Sequence, residues 1–238
     1  MKTFIHENWN EKLVLELNEY LHSIKNKDKI DFEKRVVNTK KECLAIPAPV
    51  QKNIVKEIYK GNYISFLDIM PHDNHTILLI CAYLISKIKD FDTQIKYINK
   101  LSKYIDNWSV VDTIKFSIKN NEEKYFNYAI KMLNSKRCFD RRIGVRILFN
   151  YKRNQDYIDK VFSLIDNLSN EKEYYVNMAA AWLLCDIFIV DKNKAYKYYK
   201  VNKTNSFIIN KSISKCRDSF RVSKEDKELL LKYRKKED

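Results

Sequence analysis

Arg137, Arg141, Arg142 and Arg146 fall within ten residues of a chain whose other basic side chains are mostly lysine. On a helix the pairs 137/141 and 142/146 are each i, i+4. Like charges at that spacing repel unless an anion lies between them. A phosphate backbone supplies that anion, and binding through it weakens steeply with salt. Trp108 and Asp112 share the same spacing and therefore project together from one helix face. By itself a lone tryptophan such as Trp108 or Trp182 reads as core and a lone aspartate as solvated surface. The four histidines, His6, His22, His72 and His75, lack ligand spacing, and neither an HExxH nor a Ser/His/Asp pattern occurs. No metal or nucleotide cofactor is expected. Cys43, Cys81, Cys138, Cys185 and Cys216 are odd in number and far apart, with no CxxC pair. They read as small buried hydrophobes in a reducing setting rather than as a disulfide framework.

The elements that position these groups follow from the rarest residues. Among 238 residues there are two glycines, Gly61 and Gly144, and three prolines, Pro47, Pro49 and Pro71. Hairpins need glycine at tight turns and parallel α/β folds need glycine-rich crossovers, so the chain is expected to be all-α. With 45% hydrophobic residues, 16 Tyr and 12 Phe it has ample core, which excludes disorder. No stretch approaches the ~18 apolar residues of a membrane span, and the N-terminus has no apolar signal region. Apolar periodicity predicts helices over 9–24, 32–37, 49–60, 63–70, 75–88, 93–105, 108–118, 124–133, 139–151, 157–168, 174–190, 194–199, 207–220 and 224–233, joined by loops of two to five residues. Similar helix starts recur near residues 72, 107, 138 and 174, a spacing within the ~30–45 residues of helix-pair repeats. The expectation is a HEAT-like α-α solenoid, one domain over 1–238 with N-terminal helices to 48 and repeats over 49–236. The chain holds 45 Lys+Arg against 31 Asp+Glu, a formal charge of +14, so the concave groove of such a solenoid suits a polyanion.

Four segments then carry a family resemblance. They are Asp106-Asn107-Trp108-Ser109-Val110-Val111-Asp112, Phe139-Asp140-Arg141-Arg142-Ile143-Gly144-Val145, Glu173-Tyr174-Tyr175-Val176-Asn177-Met178-Ala179-Ala180-Ala181-Trp182 and Lys215-Cys216-Arg217-Asp218-Ser219-Phe220-Arg221. In this order, within a glycine-poor chain, they resemble the bacterial DNA alkylation-repair family, the AlkD-like HEAT-repeat DNA glycosylases, over about residues 30–233. The resemblance implies hydrolysis of the glycosidic bond of cationic N3- or N7-alkylpurines in double-stranded DNA. It implies Asp112 as the catalytic carboxylate, Trp108 and Trp182 as active-site aromatics and Arg142 as the phosphate contact. Arg137, Arg141, Arg146, Lys52, Lys211, Lys215 and Arg217 complete the expected DNA-binding set. The segment 31–42 is shorter than the basic DNA-flanking helix of the better-known members and is similar to a second branch. Pro47 replaces a polar residue in the turn 45–52, and Lys52 stands for an arginine there without the bidentate fork.

The chemistry is consistent with these residues. A cationic base is already a good leaving group, and a carboxylate stabilises the oxocarbenium-like sugar or orients the attacking water. Aromatic faces attract the cationic nucleotide. The expected protein is a monomeric, cytoplasmic, nucleoid-associated repair hydrolase. The alternatives are a non-catalytic HEAT-repeat protein that binds DNA structure, alkylated or distorted, and a scaffold whose basic surface meets an acidic protein.

Overall fold

The computed structural model describes residues 3–236 and is all-helical; among the described residues there is no strand. The chain packs as two compact units, residues 1–121 and 122–238.

The first unit holds α1 (Glu11–Ser23), α2 (Ile30–Val37), α3 (Ala48–Lys60), α4 (Tyr63–Ile69), α5 (His75–Ile85), α6 (Phe91–Ser102) and α7 (Trp108–Thr113). The starts are chemically marked. Asn10, Asn62, Asn74, Asp90 and Asn107 each accept a backbone N–H of the first turn, the cheapest way to satisfy the orphan donors there. α3, α5 and α7 lie side by side, with α4 and α6 packed on α5. Nearly every residue of α5 is buried, because it has neighbours on all sides, and its hydrophobic run from Ile77 to Ile85 suits that position.

The second unit holds α8 (Glu122–Leu133), α9 (Cys138–Leu148), α10 (Ile158–Asp166), α11 (Tyr174–Val190), α12 (Lys192–Val201), α13 (Ser206–Asp218) and α14 (Lys224–Leu231). α9, α11 and α13 form one row. α8, α12 and α14 pack against that row, and α10 meets α12 where Phe162 stacks on Tyr198 at 4.3 Å. Cys138, Tyr174 and Ser206 begin the three row helices, a spacing within the expected ~30–45 residues. Gly144 sits where α9 meets α8. A Cβ there would stand 2.9 Å from the Ala129 carbonyl oxygen and 3.0 Å from the Leu133 amide nitrogen, so only glycine permits this approach.

Two sequence expectations need correction. The helix expected over 108–118 ends at Thr113, and Ile114 is extended. The following segment is captured by neighbours instead. Lys115 N donates to Ser86 Oγ at 2.9 Å and Ser117 Oγ to the Ile88 carbonyl at 2.9 Å, while buried Gln94 donates to the Lys115 carbonyl at 3.2 Å. Local periodicity does not register such tertiary bonds. Several loops are also longer than five residues, among them 38–47 and 114–121.

Candidate functional site

α7 is only six residues long, too short to be stable alone, and it is held by a polar network at its start. Asn107 is fully buried, and its Oδ1 accepts the N–H groups of Ser109 at 3.0 Å and Val110 at 3.3 Å. With its oxygen so engaged, its amide donates to Asp106 Oδ1 at 3.0 Å and to His75 Nδ1 at 3.3 Å. Nδ1 is therefore the accepting nitrogen of a neutral ring, and the proton sits on Nε2. Burial pushes the His75 pKa down to about 4, against a weaker upward pull from Asp106. Burial of Asp106 acts to raise its pKa, but hydrogen bonds from Thr39, Asn107 and the Lys40 amide, together with His75, hold it below its ordinary value. Thr39 Oγ1 donates to Asp106 Oδ1 at 2.7 Å and Lys40 N to Asp106 Oδ2 at 2.8 Å, so the strap after α2 is fastened to the start of α7.

Trp108 and Asp112 stand one turn apart on this held helix, and both are half-buried. Trp108 Nε1 donates to the Val36 carbonyl at 3.2 Å, which ties the indole to the last turn of α2 and fixes its plane. The arrangement offers a carboxylate and an aromatic face on a preorganised platform. A carboxylate and an aromatic face are groups able to stabilise positive charge developing beside them.

In the second unit the four arginines have different surroundings. Arg137, exposed at the N-cap of α9, lies 4.0 Å from Asp140. Arg141 makes a fork with Glu171, at 2.6 and 3.0 Å, and also donates to the Ser135 and Lys136 carbonyls at 3.0 Å. The Glu171 hydrogen bond raises the Arg141 pKa. Glu171 itself is lowered because Arg141 and backbone amides outweigh its burial. Arg142 is only 4% exposed and donates to the Tyr175 carbonyl at 2.5 Å. Both thus bind α9 to the 171–175 segment that begins α11. Arg146 is half-buried in an aromatic bracket, its guanidinium carbon 4.3 Å from the Phe149 ring centre and 4.9 Å from that of Trp182. Trp182 is 38% exposed and meets Phe149 edge-on at 5.1 Å. Beside it, Asp186 pairs with Lys152 at 2.5 Å and lies 3.9 Å from Arg221. Lys211, Lys215 and Arg217 follow along α13, with Lys211 and Arg217 exposed and Lys215 half-buried. Lys52 is exposed on α3 in the first unit.

A family model described as DNA alkylation repair enzyme matches residues 17–215. The chain belongs to this family. All the expected site residues except Arg217 lie inside that match. No curated protein matches the chain. Among the described residues no helix is long and apolar enough to cross a membrane.

Sequence reasoning missed the Thr39–Asp106–Asn107–His75 network, although Asp106-Asn107 opened one of the quoted segments. An Asn directly before a helical apolar run is an N-cap signal. His75 carried no signal, because its partners are more than 30 residues away along the chain.

Proposed function

We propose that this protein is a DNA glycosylase for cationic N3- or N7-alkylpurines in double-stranded DNA, acting as a monomer. The observation that carries the reading is the presentation of Asp112 and Trp108 one turn apart on a helix held by buried hydrogen bonds, in a chain of a DNA alkylation repair family. A six-residue helix with this much buried polar support is costly to keep unless the direction of its side chains matters.

In this mechanism the cationic base leaves without a general acid. Asp112 faces the sugar as it becomes oxocarbenium-like and lowers the energy of that charge, or it orients the water that completes hydrolysis. Trp108 holds the cationic nucleotide through its ring face, and Trp182 gives DNA a second aromatic surface. Arg137, Arg146, Lys52, Lys211, Lys215 and Arg217 meet phosphates along the duplex. Arg141 and Arg142 act on DNA chiefly by fixing the α9–α11 surface that carries Arg146 and Trp182. The HEAT-type repeat of helix pairs provides the frame.

Incubation with a duplex containing 7-methylguanine tests the proposal. Release of free 7-methylguanine supports it. Tight duplex binding with no base release from N3- or N7-alkylated DNA leaves a protein that binds DNA structure without chemistry.

A further inference from the structure

Phe220 is 95% exposed, the most exposed of the large hydrophobic side chains. It does not sit on a fraying end. The turn between α13 and α14 is fastened on both sides of it. Ser219 N donates to the Cys216 carbonyl at 3.2 Å, Arg221 N to Ser219 Oγ at 3.2 Å and Val222 N to the Ser219 carbonyl at 3.4 Å. Cys216 and Val222 are buried, and Ser223 caps α14 through the Asp226 amide at 3.1 Å. A phenyl ring is thus held out into solvent by an ordered turn.

Its surroundings select one kind of partner. Arg217 and Arg221 are exposed on either side of it in sequence, with Lys215 two residues before Arg217; the acids nearby are Asp218 and Asp186, the latter 3.9 Å from Arg221 and paired with Lys152. The residues flanking the ring, Ser219 and Arg221, also line a cleft of about 280 Å³ together with Trp182, Asp186 and Lys215. An apolar ring flanked in sequence by two exposed arginines does not fit a hydrophobic protein face, which would strand those arginines. It does fit nucleic acid, which offers π-faces and phosphates at neighbouring positions.

We propose that Phe220 is a base-stacking wedge that enters a base step of duplex DNA held against the second unit, while Arg217 and Arg221 neutralise the flanking phosphates. The inference rests on the DNA-binding reading above and adds a contact that holds the duplex open beside Trp182. Insertion of an apolar side chain unstacks a step and bends the duplex, so damaged or mismatched steps, which unstack more easily, are engaged first.

The test measures duplex affinity at several salt concentrations for the wild type, Phe220→Ala, Phe220→Trp and Arg217→Ala, with thermal melting of each. Phe220→Ala should melt like the wild type and bind about 5- to 150-fold more weakly, the range for loss of one stacked base, with an unchanged salt slope. Phe220→Trp should retain affinity, and its added tryptophan emission should be quenched by DNA. Arg217→Ala should reduce the salt slope by about one phosphate contact. Equal affinity in Phe220→Ala overturns the wedge. So does a loss that comes with a smaller salt slope, or a lowered melting temperature. A wild-type dimer that Phe220→Ala converts to a monomer at equal DNA affinity would assign the ring to self-association instead. Failure of the wild type to bind any duplex overturns the DNA reading itself, whereas base release by a Phe220→Ala protein of normal affinity overturns only the wedge.

Discussion

Replacing Asn107 with alanine should loosen the platform under Asp112. The side chain makes four hydrogen bonds: two accepted from the first turn of α7 and two donated, to Asp106 and His75. Loss of the cap costs about 1 kcal/mol. The substitution also strips a donor from His75, which is 1% exposed, a penalty of about 1–3 kcal/mol for an unsatisfied buried group. Asp106 keeps its bonds from Thr39 and Lys40, so it adds little. The expected total is about 2–4 kcal/mol in urea unfolding, followed by circular dichroism. Base release should fall further than the stability loss alone explains at temperatures where the variant is folded, because α7 no longer points Asp112 in one direction. Asn107→Asp supplies the contrast. It keeps the cap acceptor but sets a second carboxylate beside His75, so the ring should take up a proton and its pKa should rise. An Asn107→Ala protein within about 0.5 kcal/mol of the wild type would refute the claim that this network holds α7.

Stability should also depend on pH through His75. The unfolded ring titrates near 6.5 and the folded one near 4, so its contribution is complete above pH 6.5 and is lost as pH falls toward 4. The loss amounts to about 3 kcal/mol, and His75→Gln should flatten that limb of a pH–stability curve. Gly144→Ala should force α8 and α9 apart, since the new Cβ would meet the Ala129 carbonyl oxygen and the Leu133 amide nitrogen as well as the Leu133 side chain, and should lower stability by about 1–3 kcal/mol in the same unfolding assay. Duplex affinity should fall roughly 10³-fold between 50 and 200 mM salt if six phosphates are contacted, and a flat response would exclude electrostatic binding.

The helices were readable in the sequence because their signals are local. Asn and Asp caps, apolar periodicity and the scarcity of glycine all act within a turn or two, and α11 is bounded as expected at Tyr174 and Val190. The short α7 was not readable, since its end is set by Ser86, Ser117 and Gln94, whose bonds close over 20 residues or more. The arginine cluster shows the same division. Charge and spacing picked out Arg141 and Arg142 together with Arg146 but carried no sign of Glu171 or of the Tyr175 carbonyl, which hold the first two inside the protein. Arg146 was marked by the same spacing, yet its aromatic bracket depends on α9 and α11 lying side by side. Phe220 stood within a quoted segment with nothing to mark it, because exposure is a property of the folded turn.

The account turns on Asp112. Single-turnover release of 7-methylguanine from duplex DNA, measured for the wild type and Asp112→Asn with duplex affinity in parallel, tests it most directly. The substitution removes the charge with almost no change in shape. If the carboxylate stabilises the sugar cation, the rate should drop ~10²-fold for ~2.7 kcal/mol of lost stabilisation, while DNA affinity holds or rises slightly because a carboxylate repels phosphate. Full activity in Asp112→Asn, or no base release by the wild type, would contradict it.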